Sequence, residues 1–101
     1  MAKLSEEEIR EALAEHLPGW RLGDGEILKN FKFGSFMEAI RFIDRLAEKA
    51  EAADHHPDLE NHYNRVAVSL TSHDAGGVTR ADLELARAIE AVAEPPEPVG
   101  D

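Results

Sequence analysis

Arg65-Val66-Ala67-Val68-Ser69-Leu70-Thr71-Ser72-His73-Asp74 is the stretch that decides how this chain folds. Val66, Val68 and Leu70 alternate with Ala67, Ser69 and Thr71, the period of two by which a β-strand buries one face and leaves the other open. A one-sided strand of this kind belongs to an antiparallel sheet. The short run from Leu59 to Tyr63 reads as its partner strand. Downstream, Asp74-Ala75-Gly76-Gly77 is a turn. Thr79 then stands at a helix N-cap, Val78 and Leu83 form a hydrophobic staple, and Leu85, Ala86, Ile89 and Val92 supply the buried stripe.

Upstream the pattern repeats. Ser35 caps a helix with Glu38 at its third position, and Phe36, Ile40, Ile43, Leu46 and Ala47 are expected to form its apolar stripe. This helix runs through Glu51-Ala52-Ala53-Asp54 and must stop before Pro57, because a residue preceding proline is pushed out of helical conformation. Before it, Trp20 to Leu22, a turn at Gly23-Asp24-Gly25, and Ile27 to Phe33 read as a hairpin. Leu28, Phe31 and Phe33 alternate imperfectly, so a bulge or register shift is open there. First in the chain is a helix capped by Ser5 with Glu8 completing the box and Leu4 and Ile9 as staple; Ala12, Leu13 and His16 follow, and Pro18-Gly19 ends it. The order is α-β-β-α-β-β-α, an α+β fold with a four-stranded antiparallel sheet and helices packed on one face. Residues 1–94 are expected to form one domain and 95–101 a flexible, proline-rich tail.

Composition narrows the function classes. The chain has 101 residues, enough for one modest core but not for a core and a large enclosed cavity. The 21 acidic against 11 basic residues give a formal charge of −10, which repels a phosphate backbone and excludes direct nucleic-acid binding as an expectation. A neutral ring system is indifferent to that field. No stretch approaches the roughly 18 apolar residues of a membrane span, and MAKLSEEEIR does not read as a signal peptide. With no cysteine there is no disulfide, thiolate metal site or cysteine nucleophile, in keeping with a cytoplasmic protein.

The chemistry-bearing residues are histidines. His55 and His56 stand together before Pro57, and His73 follows the alternating strand, so all three lie at element ends where side chains can converge on one rim of a sheet. Adjacent residues diverge unless the backbone leaves the helix, and Pro57 enforces that departure. Strand parity puts Ser69, Thr71 and His73 opposite the apolar row, either as one edge of a ligand groove or as plain solvent face. His62 and His16 read as surface or structural.

Glu51-Ala52-Ala53-Asp54-His55-His56-Pro57, then Tyr63, Thr71-Ser72-His73-Asp74 and Asp82, with Pro18-Gly19-Trp20 near the start, resemble the pterin-4a-carbinolamine dehydratases (4a-hydroxytetrahydrobiopterin dehydratases). One member of that family doubles in animals as a dimerisation cofactor of a homeodomain transcription factor. The resemblance covers nearly the whole chain except the tail. It implies a hydro-lyase with His55, His56 and His73 as its acid–base set, substrate contacts from Asp54, Thr71, Ser72 and Asp74 as well, and homodimers or homotetramers.

Dehydrating a 4a-carbinolamine requires a proton delivered to the C4a hydroxyl and one withdrawn from a ring nitrogen. It calls for no metal, nucleophile or redox cofactor, and imidazoles titrating near neutrality suffice. Glu51, one turn before His55, is placed either to orient that ring or as a solvated carboxylate. Asp82 is either part of the site or an N-terminal cap residue. Trp20 either flanks the pterin or packs in the core, and Tyr63 belongs to the core or an interface. Two rival readings are a three-histidine zinc site, which the adjacent His55-His56 spacing disfavours, and a partner-binding module without turnover.

Overall fold

The computed structural model describes residues 2–93; the tail expected over 95–101 and the end of the expected domain at residue 94 lie outside the described residues. Helix α1 (Glu6–His16) is followed by β1 (Arg21–Leu22), β2 (Ile27–Lys32), α2 (Phe36–Ala53), β3 (Asp58–His62), β4 (Arg65–Leu70), a 3₁₀ turn at His73–Ala75, and α3 (Arg80–Ala93). The four strands form one antiparallel sheet in the order β1-β2-β4-β3. This is the expected α+β arrangement of three helices and a four-stranded antiparallel sheet.

The alternating strand lies centrally, with Val66, Val68 and Leu70 buried as their parity requires. Pairing with β2 sets Ile27 opposite Leu70, Lys29 opposite Val68 and Phe31 opposite Val66. The register runs unbroken from Ile27 to Lys32, so there is no bulge. The imperfect alternation has a different cause: Lys29 occupies an inward position. Its ammonium lies 2.6 Å from Glu90 of α3 and 4.7 Å from the centre of the Phe31 ring, and Glu90 also accepts a 2.8 Å hydrogen bond from Trp20 Nε1. One carboxylate thereby satisfies two donors set partly inside the helix–sheet layer. Replacing Glu90 by alanine orphans Trp20 Nε1 and leaves the Lys29 ammonium only its 3.3 Å bond to the Pro18 carbonyl, and is expected to lower stability by about 1–3 kcal/mol in urea unfolding. Glu90→Gln keeps an acceptor for Trp20 and is expected to lose less.

The caps form as read. Ser5 accepts from the Glu8 amide and Glu8 accepts from the Ser5 amide, which holds the Glu8 carboxyl below its ordinary value. Ser35 likewise accepts from the Glu38 amide, while Glu38 reaches back to Gly34 instead of Ser35. The stripe of α2 is a correction. Ala39, Phe42, Leu46 and Ala50 are its buried residues; Phe36 and Ala47 are exposed and Ile40 and Ile43 half-buried, so only Leu46 of the expected set lies fully in the core. Phe42 sits against both Phe31 and Phe33, each 4.9 Å away between ring centres.

Candidate active site

Helix α2 ends where Asp54 enters the left-handed region at φ 50°, with the Asp54 amide donating back to Glu51 and the His55 amide to Ala50. Asp54, rather than Pro57 alone, therefore breaks the helix, and the break separates the two adjacent imidazoles. His55 turns inward to Asp82 of α3, whereas His56 turns outward to Glu51 at 2.5 Å. The expected Glu51–His55 contact is thus corrected. Past the left-handed residue the i,i+4 relation no longer holds, and Glu51 meets the next histidine.

The third imidazole arrives from the other segment. Strand β4 stops at Leu70, so strand register does not aim His73; the 3₁₀ turn does. That turn is closed by a two-way backbone bridge between Ser72 and Gly77, with Gly76 at φ 79°, a conformation glycine adopts without a Cβ penalty. Thr71 is tied to the hairpin turn by a 2.7 Å bond to the Gly25 carbonyl.

Together these segments enclose an open cavity of about 470 Å³, within the range of small-molecule sites. Asp54, His55, His56, Thr71, Ser72, His73 and Asp74 all line it, with Ala75, Thr79 and Ala81. The structure therefore brings the histidine pair and His73 to one cavity. Pro57 does not line it and leads into β3; Glu51 reaches it only through His56. Trp20 lies away from it, buried edge-on to Phe31. Tyr63 is not core: it is 70% exposed and stacks on Phe36.

Asp82 sits at the helix start and does not line the cavity, but it contacts two residues that do. It is fully buried, accepts from the Thr79 amide as a helix-start residue, and also pairs with His55 and accepts from the Ser72 hydroxyl. Thr79 escaped the sequence reading as anything but a cap, because its contact with Ser72 crosses the turn. Among the described residues, no three His, Asp or Glu side chains cluster as metal ligands, and no helix is long and apolar enough to cross a membrane.

The fold is thus a four-stranded antiparallel sheet with three helices, and three histidines line one open cavity at its rim. The chain belongs to the pterin 4 alpha carbinolamine dehydratase family, whose family model matches residues 2–92. A relative from Picosynechococcus sp., provisionally named a pterin-4-alpha-carbinolamine dehydratase, is 51% identical over 84 residues, covering 83% of this chain and 90% of its own. A solved structure described as a transcriptional coactivator/pterin dehydratase from Brucella melitensis superposes with TM-score 0.86 at 41% identity, covering 91% of this chain and 99% of that one. A second, described as a pterin dehydratase-like protein acting as a RuBisCO assembly factor in the alpha-carboxysome, superposes with TM-score 0.66 at 27% identity over 78% and 94% of the two chains.

Proposed function

We propose that this chain, acting as one domain over residues 1–94 in the cytoplasm, dehydrates 4a-hydroxytetrahydropterin to quinonoid dihydropterin and water, in recycling of a tetrahydropterin cofactor. The observation that carries this reading is the delivery of His73 into the cavity that His55 and His56 already line. In the step itself, one imidazolium protonates the C4a hydroxyl, the C4a–O bond breaks with loss of water, and C4a=N5 forms as a neutral imidazole removes a ring proton. Each positioned transfer contributes about 10²–10⁴ in rate. Asp54, Thr71, Ser72 and Asp74 stand around the same space to meet the polar edge of the ring. The assay is direct: freshly made carbinolamine is mixed with protein and quinonoid dihydropterin followed optically. Production no faster than in buffer overturns the proposal.

Self-association belongs to the same reading. Edge strand β3 is exposed along its whole length, and Leu59, Phe36, Met37 and Tyr63 are exposed large apolar residues, so a homodimer or homotetramer would cover surface that a lone chain leaves open. That surface also favours a second reading, a partner-binding module without turnover, which the assembly-factor description of one structural neighbour supports. The dehydration assay separates the two.

A further inference from the structure

Asp82 is reached by donors from three directions. Its Oδ2 accepts from the Thr79 amide at 2.8 Å and from Ser72 Oγ at 2.8 Å, and its Oδ1 meets His55 Nε2. Ser72 Oγ also lies 2.9 Å from Thr79 Oγ1, which in turn accepts from the Ala81 amide at 3.2 Å. The direction of every proton in this network follows from counting. A carboxylate only accepts, so the single hydroxyl proton of Ser72 is committed to Asp82. Thr79 therefore donates to Ser72, while its own oxygen accepts from the Ala81 amide. The chain runs one way, from Ala81 through Thr79 and Ser72 to Asp82. All of it is buried or half-buried, where an unmade hydrogen bond is costly.

We propose that Ser72 and Thr79 are positioning residues that act through Asp82 to hold His55 as the Nε2–H tautomer, leaving Nδ1 as the atom that exchanges a proton with a ligand in the cavity. The Asp82 carboxylate, whose Oδ2 already takes an amide and a hydroxyl donor, offers Oδ1 as the acceptor for His55 Nε2. His55 must then keep its Nε2 proton in both the neutral and the charged ring, and only Nδ1 changes state. This moves Ser72 from ligand contact to support, and adds Thr79, which the acid–base reading did not use. The inference rests on that reading for its catalytic meaning, but the tautomer itself is measurable without turnover.

The test is nitrogen-15 NMR of the histidine side chains in the full chain, at a pH where His55 is neutral, together with kcat. In the parent protein His55 is expected to show a protonated Nε2 and an unprotonated Nδ1. Thr79→Val removes the hydroxyl at nearly constant volume and is expected to mix the two tautomers and lower kcat by about 10–100-fold, the range typical of groups that orient a working histidine. Thr79→Ser restores the hydroxyl and is expected to restore both readouts. Ser72→Ala, at a half-buried position, gives the same result as Thr79→Val if the latter fails to fold. A parent His55 protonated at Nδ1 overturns the proposal, as does a Ser72→Ala or Thr79→Val protein with unchanged tautomer. A parent protein that shows the Nε2–H tautomer, Thr79-dependent, but no dehydration upholds the network and overturns the proposed activity instead.

Discussion

Replacing His56 by alanine is expected to lower kcat/KM for carbinolamine dehydration by about 10²–10⁴-fold while leaving the fold intact. His56 is the imidazole of the three whose loss isolates chemistry from stability. Its side chain is 57% exposed and its one partner, Glu51, is 77% exposed, so the pair contributes little to folding. Surface changes of this kind shift stability by within about 0.5 kcal/mol, or a few degrees in Tm for a domain of this size. His55 offers no such separation, because its removal strips a partner from a buried carboxylate and strikes stability and activity together. The measurement is a pair of readings on one protein: initial rates of quinonoid dihydropterin formation, and a thermal melt. A His56→Ala protein with the parent's melt and less than a tenfold loss of rate would remove His56 from the acid–base set. A loss of rate accompanied by an equal loss of native signal would say nothing about proton transfer and would instead make His56 structural.

Much of this architecture was readable from local rules, and the misreadings have identifiable causes. Caps are encoded within four residues, so Ser5-Glu8 and Ser35-Glu38 could be recognised in the linear chain and formed where expected. The alternation of Val66, Val68 and Leu70 placed β4 and its buried face for the same reason. The hairpin strand β2 was harder because an inward lysine imitates a break in pattern. Its partner Glu90 lies 61 residues away, and nothing local announces that a charge will be met inside the layer. The site divides in the same manner. The convergence of His55, His56 and His73 follows from their places at element ends. Which carboxylate serves which imidazole does not, since it depends on the left-handed turn at Asp54 and on the approach of α3 across 27 residues. Asp82 was ambiguous in sequence because one side chain with two oxygens can cap a helix and hold a histidine at once. The two readings were never exclusive.

The stripe of α2 supplies the largest stability effect and a test of which helix face meets the sheet. Read by spacing, Phe36, Ile40, Ile43 and Ala47 form an acceptable amphipathic row, and Ala39, Phe42, Leu46 and Ala50 form another rotated along the same helix. The second row is the buried one because Phe42 completes a three-ring cluster with Phe31 and Phe33 from β2 and the residue after it. Phe42 is 0% exposed, so truncation leaves a void walled by two other rings and the sheet. Phe42→Ala is therefore expected to cost about 3–5 kcal/mol, a large part of the roughly 5–15 kcal/mol that holds an ordinary domain together. At about 4–8 °C per kcal/mol, the melting point should fall far enough for the protein to be partly unfolded at 37 °C. Phe36→Ala is the matched control. Phe36 is 43% exposed and rests on an exposed Tyr63, so its truncation is expected to cost less than about 1 kcal/mol in a urea titration run dilute enough that self-association is not what is read. The ordering of the two midpoints is the decisive quantity. If Phe36→Ala proved the more destabilising change in a dilute monomer, α2 would have to be turned by about a quarter of a revolution on the sheet, and the placement of His55 and His56 at its end would turn with it.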